Sequence, residues 1–205
     1  MNNALLPRAK KILRMEIEAL KSLADQLNEE TLHSIIEMMS ACSGHILVAG
    51  AGTSRAVAQR FAHLLACCGT PALPINAADA LHGGAGAVRS EDVVYIISKG
   101  GESREINRFA EIAKRRGARL IAQTENPIST LGKMSDCVYH VKSPDVDPYG
   151  MIATGSSLFN SLACDILCVL LLERRGYSKE QFGETHPEGA VGLRLASEER
   201  AGEAK

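Results

Sequence analysis

The chain has 205 residues, 45% of them apolar and 23% charged, with a formal net charge of −1. That length supports one domain, or a domain plus an extension, with a fully buried core, and the composition is that of a soluble globular protein. The near-neutral balance argues against nucleic-acid and membrane-surface binding, and no apolar leader with a small-residue cleavage site opens the chain.

Residues 8–27 place Leu13, Ile17, Leu20, Ala24 and Leu27 at alternating spacings of four and three, which predicts an amphipathic helix. Asn28 followed by Glu29 and Glu30 reads as the N-cap of a second helix carrying Leu32, Ile35, Ile36 and Met39. Residues 1–40 are therefore expected to form a helical extension that packs on the domain or on a partner subunit. Their five Lys/Arg against six Asp/Glu do not suit a DNA-reading helix pair.

From Ile46 the pattern turns to α/β alternation. Strands are expected at Ile46–Ala49, Pro71–Ile75, Val93–Ile97, Leu120–Gln123 and Cys137–Val141, and helices at Ser54–Cys68, Asn76–Leu81, Glu102–Arg116 and 156–175. The uninterrupted run Val93–Ile97 suits a strand buried on both faces of a parallel sheet. Helix 156–175 contains the longest greasy stretch, Leu158–Leu172. It is interrupted by Asn160, Ser161 and Asp165, and is too short and polar to span a bilayer. Residues 177–205 read as polar except around Val191–Leu195. Together this predicts an α/β fold: an open, five-stranded, mostly parallel sheet with helices on both faces, preceded by two N-terminal helices. The domain proper is expected over 41–195, with a polar tail over 196–205.

The six cysteines include no Cys-x-x-Cys pair. They read as small buried hydrophobes of a reducing cytoplasm, with neither a metal nor a disulfide framework implied.

Ligands of open α/β sheets sit beyond the carboxyl ends of the strands. Two glycine loops fall there: Gly50-Ala51-Gly52-Thr53-Ser54 after the first strand, and Ser98-Lys99-Gly100-Gly101-Glu102-Ser103 after the third. The first lacks the third glycine of a dinucleotide fingerprint, since Arg55 stands there, and Asn76 takes the place of a ribose-binding acid. No Gly-Lys-Ser/Thr follows, so nucleoside triphosphates are poor candidates as well. What remains is a small phosphorylated metabolite, held by the hydroxyls of Thr53, Ser54, Ser98 and Ser103 and by backbone amides at two helix starts. No cofactor and no metal is expected. The alternative for the serines is that they only cap their helices.

These loops, with Thr185-His186-Pro187-Glu188-Gly189-Ala190-Val191-Gly192, resemble the sugar isomerase (SIS) domain over roughly residues 40–195. Ala80-Leu81-His82-Gly83 and the His-Pro segment are most similar to its arabinose-5-phosphate isomerase branch, here without the pair of CBS modules that often follows. The resemblance implies a flavodoxin- or Rossmann-like three-layer sandwich. It also implies a phosphate site at Gly52, Thr53, Ser54, Ser98, Lys99, Gly101 and Ser103, and aldose–ketose isomerisation through a cis-enediol(ate).

It further assigns Glu102 as the enolising base. Apolar walls would raise its pKa toward neutrality, whereas a helix N-terminus would favour its charged form. His186 is implied as the ring-opening acid/base, reaching a neighbouring subunit's cleft in a homo-oligomer, a dimer or a tetramer, with His82 as a weaker candidate. The second acid of the family maps to Asp145 or Asp147. Three departures from the branch surround the sugar end. Thr53 replaces its lysine, with Lys99 as a substitute charge; His82-Gly83-Gly84 replaces His-Gly-Asp; and Glu188 interrupts His-Pro-Gly-Gly. A non-catalytic phosphosugar sensor is the alternative reading.

Overall fold

A computed structural model describes residues 4–147 and 149–203. Strands β1 (Ile46–Gly50), β2 (Ala72–Pro74), β3 (Val93–Ile97), β4 (Arg119–Thr124) and β5 (Cys137–His140) form one sheet in the order β2-β1-β3-β4-β5. Every pairing is parallel, and β1 meets β3 in register from Ile46 opposite Val93 to Gly50 opposite Ile97. The chain winds outward in both directions from β1 and β3. The crevice between their carboxyl ends is therefore the topological switch point, where such sheets take ligands.

Alternation along the strands divides the core in two. Val48, Tyr95, Ile121 and Tyr139 face helices α2 (Glu29–Ser40), α3 (Thr53–Cys67) and α7 (Thr154–Arg175), and bury Ile35, Phe61, Leu65, Phe159 and Leu167. Leu47, Val94, Ile96 and Leu120 face the other way, onto α4 (Ala77–Ala80), α5 (Arg104–Arg115) and α6 (Thr130–Met134), around Phe109 and Leu131. Such two-sided burial needs continuous apolar strands, and Val93–Ile97 supplies one that is buried throughout. A polar chain crosses the first core: Tyr95 donates to Gln123 Oε1 at 2.6 Å, and Gln123 Nε2 donates to Asn160 Oδ1 at 2.7 Å. It ties β3 and β4 to the middle of α7.

Helix α7 is long and apolar enough to cross a membrane by composition. Here Phe159, Ala163, Cys164, Leu167 and Leu171 of that helix are fully buried. The six cysteines are all free; Cys164 and Cys168 are buried in α7 and the other four are half-buried.

The structure differs from the sequence expectations in three places. Helix α1 (Leu5–Lys21) buries Glu16 and Ala19, while Leu13 and Ile17 of the predicted stripe face outward. Helix α6 forms where only a loop was expected, because Ser129 caps it by accepting from Gly132 N at 3.1 Å. The polar C-terminal stretch is helical as α8 (Lys179–Thr185) and α9 (Ala190–Glu203), the former opened by a Ser178–Gln181 capping box. The tail expected from residue 196 thus continues α9; residues 204–205 lie outside the described residues.

Candidate functional site

The two glycine loops leave adjacent, in-register strand ends and stand side by side over the switch point. Glycine is required at particular places in them. A Cβ on Gly50 would meet the Ser54 carbonyl at 2.6 Å, so only glycine allows the tight turn into α3. Gly101 has φ +68° and packs directly on Ser129, which locks the second loop to the start of α6. Gly52 (φ +57°) and Gly100 instead border open space, with no atom within 4 Å of where a Cβ would stand.

Neither helix behind these loops is capped. The N-cap of α3 is Gly52, and that of α5 is Ser103, whose hydroxyl makes no cap bond. Elsewhere Asn28, Asn76, Ser129 and Ser178 do cap their helices. The reading of the loop serines as mere caps therefore fails. At α3 the Ser54 and Arg55 amides bond back to the Ala51 and Gly52 carbonyls at 3.1 Å. The groups able to meet an anion are therefore the first-turn amides of α5 and the hydroxyls of Thr53, Ser54 and Ser103, with the positive helix ends behind them. Ser98 is buried at the base of the second loop, its amide donating to the Gln123 carbonyl at 3.0 Å.

Glu102 projects from this loop into solvent. Its carboxylate accepts from Thr130 N at 2.9 Å and from Thr130 Oγ1 at 2.7 Å. These bonds hold its pKa below the usual glutamate value. Of the two opposing influences expected from sequence, the helix N-terminus wins. It is, however, the start of α6, 28 residues away, and not that of α5.

Beyond the ends of β3 and β4 lies a cavity of about 260 Å³, lined by Lys99, Asp145, Asp147 and the opening of α7 at Gly155 and Ser156. Helix α7 likewise begins without a side-chain cap, after Ala153. Lys99 Nζ stands 3.6 Å from Asp145 Oδ1 and 3.9 Å from Glu125 Oε1. Burial pushes the Glu125 carboxyl up, against the opposing effect of Lys99.

The two aspartates separate cleanly. Asp147 accepts from the backbone amides of Tyr149, Met151 and Ile152, which fold the loop and lower its pKa. It is spent on structure, whereas Asp145 is 93% exposed and faces Lys99.

Of the two candidate histidines, His82 lies nearer this crest: its neighbours Leu81 and Gly84 line clefts with Arg104 and Arg55, at the starts of α5 and α3. His82 is exposed on the turn after α4. His186 lies between α8 and α9, stacked on Phe182 with ring centroids 3.8 Å apart. Its Nδ1 is 3.0 Å from both the Phe182 carbonyl and Thr185 Oγ1. Tyr177, at the root of this arm, packs on Gly69 beyond the end of α3. The arm therefore leaves from the end of α7 opposite Gly155, about 33 Å away at 1.5 Å per residue over 22 residues.

Sequence reasoning missed Thr130, Glu125 and the opening of α7. Glu125 could have been found by position, since it directly follows β4 at the ligand-facing edge. Thr130 carried no signal, because the contact depends on how α6 docks. Among the described residues, no group of three His, Cys, Asp or Glu side chains could hold a metal ion.

The SIS domain profile matches residues 39–170. The chain is 35% identical over 187 residues to the arabinose 5-phosphate isomerase KdsD of Yersinia pestis, an alignment covering 91% of this chain and 57% of that protein. It thus spans about three fifths of the length of the curated relatives it matches. Among solved structures, a provisionally assigned sugar-phosphate isomerase from Listeria monocytogenes superimposes with a TM-score of 0.87 at 34% identity, over 91% of this chain and 98% of that one. An E. coli CFT073 protein in complex with arabinose 5-phosphate gives a TM-score of 0.86 at 28% identity, over 91% and 100% of the two chains. With a five-stranded parallel sheet, twin loops at its switch point and a profile match over more than half its length, the chain belongs to the SIS domain family.

Proposed function

We propose that this domain is a cofactor-free aldose–ketose isomerase for a sugar phosphate of the arabinose 5-phosphate kind. The observation that carries the reading is the pair of uncapped helix starts, α3 and α5, on adjacent strands. They offer amides and the hydroxyls of Thr53, Ser54, Ser98 and Ser103 to a phosphate that is held rather than hydrolysed. The relatives named as arabinose 5-phosphate isomerases, and the E. coli structure holding that sugar phosphate, support a pentose phosphate as the ligand.

Anchored there, the sugar's carbonyl end lies over Glu102, Lys99 and Asp145. Glu102 takes the proton from C2 of the open-chain aldose, leaving a cis-enediolate whose oxygen charge faces the Lys99 ammonium. Return of a proton from Glu102 to C1, with the O2 hydroxyl proton passing to O1, completes the ketose, and no atom is lost. Glu102 is ionised at neutral pH and able to accept a proton, and the Thr130 bonds that lower its pKa also weaken it as a base while they last. Phosphate binding, remote from C1 and C2, supplies the orientation.

His186 serves ring opening from a second copy of the chain, since within one protomer its arm leaves from the far end of α7. This requires a homo-oligomer. A cytoplasmic setting suits six free thiols.

The test is Glu102→Gln with deuterium-exchange NMR on bound arabinose 5-phosphate. Exchange at the substrate carbon should disappear while binding persists; undiminished exchange would exclude Glu102 as the base. Wild-type binding without any exchange would favour the sensor reading.

A further inference from the structure

Helix α1 is a basic amphipathic helix whose apolar stripe has no partner in its own protomer. Leu6, Leu13 and Ile17 share one side of it and are 64%, 59% and 41% exposed. Lys10 and Arg14 border that stripe one helical step further round. The flank beside the stripe, through Glu16 about 60° round from Leu13, meets Gly155 at the opening of α7, and this contact leaves the stripe turned outward.

At the other end of α7 lies an unfilled groove of about 1110 Å³ between α2 and α7. Its floor is Leu27, Leu32, Ile36 and Leu170; its rim carries Glu29, Glu30 and Glu173, and its one cation, Arg174, is paired with Glu37 at 2.6 Å, which leaves the rim acidic. Apolar floor and acidic rim are the complement of apolar stripe and basic border.

We infer that α1 of one protomer docks in the α2–α7 groove of a second copy. Self-association is already part of the proposed function, and this contact rests on it. The α1 helix cannot fill its own groove: it packs against the start of α7 and leads through a short turn into α2, whereas the groove sits at the end of α7. Residues 196–205 are a poor occupant, with Glu198, Glu199 and Glu203 against Arg200 and Lys205, and with alanine as their sole apolar type. At 17 residues, α1 is about 25 Å long, enough to cross the groove with its stripe.

The test mixes unlabelled and nitrogen-15-labelled full-length protein, then applies a zero-length carbodiimide cross-linker and maps the products by mass spectrometry. Mixed-isotope links from Lys10 or Lys11 to Glu29, Glu30 or Glu173 are expected. Leu13→Glu with Ile17→Glu, both at exposed positions, should abolish those links and lower the sedimenting mass. Lys10→Glu with Arg14→Glu should also abolish them, and mixing that variant with Glu30→Lys/Glu173→Lys should restore the assembly. An intact assembly without mixed links, or charge reversals that fail to rescue, overturns this contact and leaves self-association standing. A wild-type chain that is a single protomer at tens of micromolar overturns both.

Discussion

Gly100 and Gly101 are neighbours in the second loop, yet replacing each by alanine should have opposite consequences. Gly101 has φ +68°, where a Cβ costs about 1–2 kcal/mol. That Cβ would also stand 2.6 Å from Ser129 Cβ, forcing Ser129 off the α6 cap it makes to Gly132 N at 3.1 Å. Losing such a cap costs about 1 kcal/mol. Gly101→Ala is therefore expected to lose roughly 2–3 kcal/mol, a Tm drop of about 4–12 °C for a chain of this size. Gly100→Ala meets no atom within 4 Å and has no positive φ, so its Tm should stay within about a degree of wild type. Its methyl group enters the open space over the switch point, and its cost should appear in phosphosugar affinity. Calorimetric melting with and without arabinose 5-phosphate reads both quantities. Adding Ser129→Gly to Gly101→Ala removes the collision but not the backbone strain, so the double variant should be more stable than the sum of the single losses predicts. Equal Tm losses for the two alanines, or strict additivity with Ser129→Gly, would refute the reasoning.

Other outcomes follow from single contacts. Thr130→Ala removes one of the two donors that depress the Glu102 pKa. Activity that needs ionised Glu102 falls as pH drops through that pKa, so the acid limb of kcat/KM should move to higher pH in this variant; an unmoved limb would disconnect Glu102 from turnover. Gln123 is 1% exposed, and Gln123→Leu would strand the Tyr95 hydroxyl and the Asn160 amide. It should cost about 2–4 kcal/mol in guanidinium unfolding, and a loss below about 1 kcal/mol would show that the network relaxes. Ser98→Ala with Ser103→Ala should weaken sugar phosphates selectively over unphosphorylated sugars in calorimetric titration; equal losses for both classes would contradict the phosphate assignment.

The sheet was legible because parallel strands buried on both faces leave unbroken apolar runs, and Val93–Ile97 emerged with the expected bounds. The two glycine loops were legible because glycine and hydroxyls at strand ends have a local chemical meaning, and they do leave adjacent strand ends. Periodicity identified α1 as a helix but could not say which side faces in. Glu16 meets α7 at Gly155, Ala19 is buried, and the stripe through Leu13 and Ile17 points outward. Helices α6 and α8 were hidden in polar stretches whose cap residues, Ser129 and Ser178, were present but unread. The ionisation of Glu102 depends on Thr130, a contact made only when α6 docks, and no local pattern encodes it. Chain separation also concealed Lys99–Asp145, whose partners are joined only by the return of the chain through β4 and β5.

Three helices, α3, α5 and α7, begin uncapped around one rim of the sheet. Like poles are thus gathered with no capping side chain at any of them, and they are offset only in part by Glu105 in the first turn of α5 and by Glu16 beside Gly155 of α7. A phosphate bound as proposed would relieve the remaining frustration, and because its donors would be amides and hydroxyls, the relief should hardly depend on protonation of any lysine or histidine. Phosphorylated ligand should accordingly act as a structural counterion: at about a hundred times its Kd it adds about 2.7 kcal/mol, or roughly 5–10 °C of melting temperature. On the proposed function, a sugar phosphate would then complete the fold, and resistance to heat would report how much of that metabolite surrounds it.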